Sequence, residues 1–312
     1  MRRALRLAAL PLILTACTEA PPPPEQAPAP QPQATSLLGE PLFAKDDTLG
    51  EIATADSALA SAPEDVELLI AAGRARRNSW HYREEMALYT KVIGMVPDDW
   101  RPYRFRGHRY ISVREFDNAI RDLEKARELA PFNWDVSYHL GLAYFVSARF
   151  EDAAAEWTRC LGLANDAGAQ AADSETFRSC SRNGSDPGSQ VAMTEWAARA
   201  LIRSGRQAEA EALAKAIPEG LEVGENLSYY HDLLYAKGLK TADELLNLAP
   251  DAPYRLETVG YGVATRLLAA GDTARAMGVF KQIVADPWWP GFGRIAAEAE
   301  LARAAAAAPP TP

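Results

Sequence analysis

The sequence predicts an all-α protein: an α-solenoid of about six antiparallel helix pairs with a C-terminal capping helix. Three observations predict it. Gly73, Gly107 and Gly141 are spaced by 34 residues, as are Pro63, Pro97 and Pro131, and Phe116 and Phe150. A second glycine series, Gly205, Gly238 and Gly271, follows at a spacing of 33. The segment 291–308 places Ile295, Ala299 and Ala302 along one face, against Arg294, Glu298 and Glu300. Fixed periods of this length mark one helical unit stacked repeatedly, and a last helix with one apolar and one wet face is what the end of such a stack needs.

The chain opens differently. Arg2, Arg3 and Arg6 precede a short apolar run, Leu7 to Leu14, which ends in Leu14-Thr15-Ala16-Cys17. The run is too short to span a bilayer and reads as a signal peptide over 1–16. Its end resembles the lipobox of bacterial lipoproteins: a branched apolar residue, two small residues, then cysteine. The resemblance implies lipid transfer to the Cys17 thiol, cleavage before it and acylation of the new amino terminus. The other reading is an ordinary secretory signal with an incidental cysteine. Thr18, rather than Asp, follows the cysteine, so the family rule implies the outer membrane, facing the periplasm. Two or three acyl chains anchor stably, since each buried CH₂ contributes about 0.8 kcal/mol.

Residues 17–41 are rich in Pro, Gln and Ala, with four consecutive prolines at 21–24. Such a stretch prefers polyproline II and is expected to act as a spacer. A proline-rich ligand for a recognition module is the sharper alternative.

Residues 42–165 carry the first helix pairs. One unit reads Tyr103-x-x-Arg106-Gly107-x-x-Tyr110, then Ala119, Leu123, Ala126 and Pro131; the next reads Leu140-Gly141-x-x-Tyr144, then Ala153, Trp157 and Cys160. This resembles the tetratricopeptide repeat, two antiparallel helices in which small residues let helix A and helix B approach and a proline stops helix B. Arg106 stands where the family has Leu. An earlier unit from Val66 to Asp99 keeps Gly73, Tyr89 and Pro97 in register, with Arg76 and Glu85 off pattern, and 52–62 reads as one further helix. Residues 166–190 are polar and contain glycine, and are expected to be a long loop. Helix pairs resume over 191–312, with the glycines spaced by 33 at the turns.

In the repeat family, helix A lines a concave groove through repeat positions 2, 5, 9 and 12. These fall on Glu67, Ile70, Arg74 and Arg77, then Arg101, Arg104, His108 and Ile111, then Asp135, Tyr138, Leu142 and Phe145. The resemblance therefore implies a partner-binding surface of Arg74, Arg77, Arg101, Arg104, His108, Tyr138 and Phe145. Arginine forks bind carboxylates bidentately, which favours an acidic or C-terminal peptide of another envelope protein. The plainer reading is that these arginines pair with nearby acids and only solvate the surface. The Lys/Asn/Asn/Lys/Arg clamp that some members use for a terminal carboxylate is absent.

The charge balance bounds the rest. Of 312 residues, 33 are Lys or Arg and 42 Asp or Glu. Without the signal the balance is 30 to 42, a net charge of −12, which argues against a nucleic-acid partner. Cys160 and Cys180, 20 residues apart, can bond in an oxidising compartment and tie the loop to the third repeat; a buried free thiol is the alternative. No HExxH, GxSxG or GxxxxGK[ST] motif occurs, and His81, His108, His139 and His231 lack ligand spacing. No cofactor, metal or enzymatic activity is expected. The sequence thus reads as a membrane-tethered scaffold for partner proteins. A ligand- or glycan-binding lipoprotein, or an accessory subunit of an enzyme, using the groove and the 166–190 segment, is the alternative.

Overall fold

The computed structural model describes residues 30–247 and 256–307. The signal sequence, Cys17 and most of the proline-rich segment lie outside the described residues. The 16 helices described form an all-α array from Pro32 onward. After α1 (Glu51–Ser61), three pairs follow: α2 (Val66–Ala75) with α3 (Tyr82–Met95), α4 (Trp100–Ser112) with α5 (Phe116–Leu129), and α6 (Trp134–Val146) with α7 (Phe150–Gly162).

Each of these pairs is built from the same local devices. The chain leaves the repeat proline and, two residues later, Asp65, Asp99 or Asn133 caps the next helix through its side-chain oxygen. The glycine on helix A gives helix B room. A Cβ added at Gly73 would lie 2.5 Å from the Tyr89 ring and one at Gly107 2.6 Å from Leu123 Cγ, while Gly141 lies under Trp157. The turn from helix A to helix B takes a left-handed residue: Trp80, Arg114 and Ala148, with φ of 62°, 66° and 62°.

The second series of glycines has a different job. Gly205, Gly238 and Gly271 occupy that left-handed turn position, with φ of 79°, 75° and 85°. They follow α10 (Pro187–Arg203), α12 (Leu227–Ala236) and α14 (Tyr261–Ala269), and lead to α11 (Gln207–Ala216), α13 (Ala242–Leu246) and α15 (Thr273–Val284). A π-helical turn, Leu256–Gly260, precedes α14, and α16 (Phe292–Ala307) ends the array. A run of buried rings joins the two halves. Phe145 packs on Trp196 at 5.3 Å, Trp196 on Tyr261 at 5.9 Å and Tyr261 on Phe280 at 5.5 Å.

Two segments differ from the sequence expectation. Residues 166–190 are not a plain loop: they contain α8 (Ala167–Ala172), α9 (Cys180–Gly184) and the start of α10. Asp166, Ser179 and Asp186 each cap a helix. The Cys160–Cys180 disulfide, with Cα atoms 5.3 Å apart, fastens α9 to α7. The second difference is at 33–42, placed by composition in the spacer. Here β1 (Ala34–Thr35) and β2 (Pro41–Leu42) form an antiparallel ribbon whose Ala34 and Leu42 pack with Trp80, Tyr82, Met86, Val113 and Trp289.

That ribbon marks a third feature, which no period announces: the array closes on itself. The stretch 286–298 returns to all three of these helix pairs, meeting Trp80 and Tyr82 of the first, Arg114 of the second and Tyr138 and His139 of the third. Arg114, 3% exposed, donates Nε and Nη2 to the fully buried Glu298 at 3.0 and 2.7 Å. Trp80 meets Trp288 and Trp289 edge-on at 5.3 and 5.4 Å. Leu37 N also donates to Glu298, and Trp289 Nε1 to the Phe43 carbonyl. The expected capping helix α16 is therefore buried along much of its length, from Gly293 to Glu300.

Candidate functional site

The concave face of α2, α4 and α6 bears the arginines, and its charges are ordered by the repeat. Position 2 alternates in sign along the groove: Glu67, Arg101, Asp135. Arg101 forks Glu67 at 2.7 and 3.0 Å and also contacts Asp99 at 2.7 Å. Arg104, at position 5, pairs with Asp135 at 2.9 Å. Arg106, in the place of the repeat leucine, forks Asp122 at 2.6 and 2.9 Å. With Arg114 on Glu298, these arginines of the α4 region all have an acid. Most of those acids come from neighbouring helices, so the excess of positive charge along α4 is neutralised in the fold.

Arg74 and Arg77 are the exception. Both are exposed, and among the described residues neither guanidinium has a hydrogen-bond or ion-pair partner. They stand at a cavity of about 490 Å³ that Ile70, Tyr89, Phe105, Glu175 and Thr176 also line. The 166–190 segment thus contributes to the wall of this cavity.

Glu85 and Arg109, which also line this cavity, were not among the sequence candidates. Glu85 is 2% exposed and Arg109 4%. Glu85 Oε1 accepts from the Tyr89 hydroxyl at 3.0 Å and lies 3.6 Å from Arg109 Nε. Glu85 Oε2, Arg104 Nε and Arg109 Nε are buried without a hydrogen-bond partner. Burial pushes the Glu85 carboxyl up, more than Arg109 pulls it down. The sequence carried a signal for this pair. Glu85 breaks the apolar pattern of helix B, and a buried charge needs a partner.

The histidines and aromatics of the expected groove are otherwise engaged. His108 Nδ1 accepts from Arg109 Nη2 at 2.8 Å, and its ring lies 4.2 Å from His139 and 5.1 Å from Phe292. Burial first, then Arg109, drives the His108 pKa well down, and burial with Arg104 pushes His139 down to about 3. Both imidazoles are therefore neutral at pH 7. The Tyr138 hydroxyl is 3.2 Å from that of Tyr229, and Phe145 is fully buried in the core. Neither forms an open groove surface. The C-terminal stretch covers one and α10 and α14 enclose the other.

A second cavity of about 570 Å³ adjoins the first. Arg77, His108 and Arg109 line both, and Trp288, Pro290 and Phe292 form much of the second cavity's wall. Glu257 also borders it. Its carboxylate accepts from Gly293 N at the start of α16, and burial pushes its pKa up to about 7. Among the described residues no cluster of His, Cys, Asp and Glu is arranged to hold a metal, and no helix is long and apolar enough to cross a membrane.

No protein-family model matches the chain, and no curated protein matches it. Among solved structures it is similar to one titled "MamA AMB-1 P212121", with 18% identity over 64% of this chain and 86% of that one, at a TM-score of 0.39. A likeness this slight carries no argument. The packing described above stands without it: an all-α array of tetratricopeptide-like helix pairs.

Proposed function

We propose that this protein is a non-enzymatic adaptor that docks acidic segments of partner proteins at the Arg74–Arg77 cavity, and that a lipid on Cys17 holds it at a bacterial envelope membrane. One observation carries the docking reading. In a chain whose other concave-face arginines are neutralised by its own acids, two adjacent guanidiniums stand unpaired over a cavity. Arginine without an internal partner presents a planar fork suited to carboxylates, and a guanidinium at a partly enclosed site is screened less by salt than one on an open surface. The rest of the mature chain is strongly acidic, while the cavity lining carries five arginines against four acids, so its two unpaired guanidiniums set it apart in sign and favour acidic partners.

The envelope location rests on the lipobox resemblance and on Thr18 after Cys17, and it agrees with a disulfide, which persists in oxidising compartments. The partners are then other envelope proteins reached from a membrane-bound position. The test is a crosslinked capture from native envelopes with the wild-type protein and with Arg74→Glu/Arg77→Glu. The reading expects captured proteins that the variant loses and that an excess of a glutamate-rich peptide displaces. Equal capture by both forms would remove the cavity from the account.

A further inference from the structure

The two cavities share a wall, and that wall says more about the partner than its charge. Arg77, His108 and Arg109 line both chambers. On one side lie Arg74, Arg104 and the buried polar atoms of Glu85 and Arg109. On the other lie Trp288, Pro290 and Phe292, each half-buried. Resting on the adaptor reading above, we infer that the docked segment carries an acidic side chain beside an aromatic one, the acid held at Arg77 and the ring seated in the Trp288–Pro290–Phe292 chamber.

The geometry argues for this pairing in three ways. First, a carboxylate at Arg77 lies on the boundary, so a neighbouring residue of the same segment enters the second chamber directly. Second, rings and a proline make up much of that chamber's wall, beside Asn78, Arg109 and Glu257, and it receives an aromatic side chain edge-on or tilted, as Phe292 already meets His108 at an interplanar angle of 38°. Third, the groove does not continue. Beyond His108 the floor is taken by Phe292, His139 and Tyr138, whose rings pack on one another, and α16 fills the space behind them. A long peptide cannot run through, so specificity must come from a short element of two or three side chains. The exclusion of water on seating one aromatic side chain is worth about a tenfold gain in affinity or more.

The experiment uses the full chain and fluorescently labelled nonapeptides blocked at both ends, so that no terminal carboxylate is present. One carries Asp-Phe at its centre, one Asp-Ala, one Asn-Phe. Anisotropy is expected to show the first binding about tenfold or more tighter than either other, and Arg77→Gln to remove that advantage. With 4-benzoylphenylalanine in place of Phe, photocrosslinking is expected within 288–292. If Asp-Phe and Asp-Ala bind equally, the inference fails and the adaptor reading stands. If Asn-Phe binds as well as Asp-Phe, the site is merely apolar and the inference fails. If no acidic peptide binds, both fail.

Discussion

Replacing Glu298 by Ala tests the closure of the array. Glu298 is fully buried and receives Arg114 at 2.7 and 3.0 Å, Arg294 Nε at 3.1 Å and the Leu37 amide at 3.4 Å. Its loss leaves two buried guanidiniums, of 3% and 6% exposure, without their carboxylate. Breaking a buried pair from one side costs about 3–5 kcal/mol, because the charge left behind is uncompensated. Arg114 keeps the Trp289 and Ser112 carbonyls, and Arg294 keeps that of Asp286 and the Glu40 carboxylate at 3.6 Å, so the lower end, about 3 kcal/mol, is expected. Against a total of about 5–15 kcal/mol, that is a large share. Urea unfolding is the assay, with hydrogen exchange mapped over 33–45 and 286–298. The account expects a lower midpoint and faster exchange in both stretches together, since the same carboxylate holds them. A loss under about 0.5 kcal/mol with unchanged exchange would show that Glu298 does not close the array, and so would fast exchange in only one stretch.

Other perturbations reach other parts of the structure. Gly107→Ala drives a methyl against Leu123 and is expected to lower stability by about 1–3 kcal/mol through overpacking, read as a fall in Tm. Gly94→Ala, which meets nothing within 4 Å, is the control and should be neutral or slightly stabilising. Reducing the Cys160–Cys180 bond, or replacing both cysteines by Ser, should cost about 3 kcal/mol for a loop of this length and raise exchange over α8 and α9. For Glu257 the sign is set by its raised pKa. A carboxyl at about 7 folded and near 4.5 unfolded contributes stability below the lower value, and that contribution is lost as pH rises through the higher one. Wild type should therefore lose stability relative to Glu257→Gln between pH 5 and pH 8 in urea titrations; a constant difference would contradict the burial of this group.

The helix pairs were legible because their causes are local and periodic. A glycine under a large apolar side chain 16 residues later, a proline stop and a cap two residues beyond it all repeat every 34 residues. The closure was not legible. Arg114 meets Glu298 across 184 residues, and nothing in a repeat pattern fixes which surfaces meet after six turns of the array. The ribbon at 33–42 was hidden for the same reason, since its partners Trp80 and Trp289 lie far along the chain. The groove was half legible. Register placed Arg74, Arg77, Arg101 and Arg104 on one face, and the alternation of Glu67, Arg101 and Asp135 at a single repeat position already contained the pairing that neutralises the last two arginines. Tyr138 and Phe145 shared that register but are covered, because the array curls over them.

The central claim is that Arg74 and Arg77, and not the paired arginines beside them, receive an acidic partner. It is tested most directly by following the arginine Nε–Hε signals in nitrogen-15 spectra while an acidic, end-blocked peptide is titrated in. The account predicts saturable shifts at Arg74 and Arg77, weakened by added salt, with Arg101 and Arg106 held in place by Glu67, Asp99 and Asp122. Shifts spread evenly over the surface arginines, or none at Arg74 and Arg77, would contradict it.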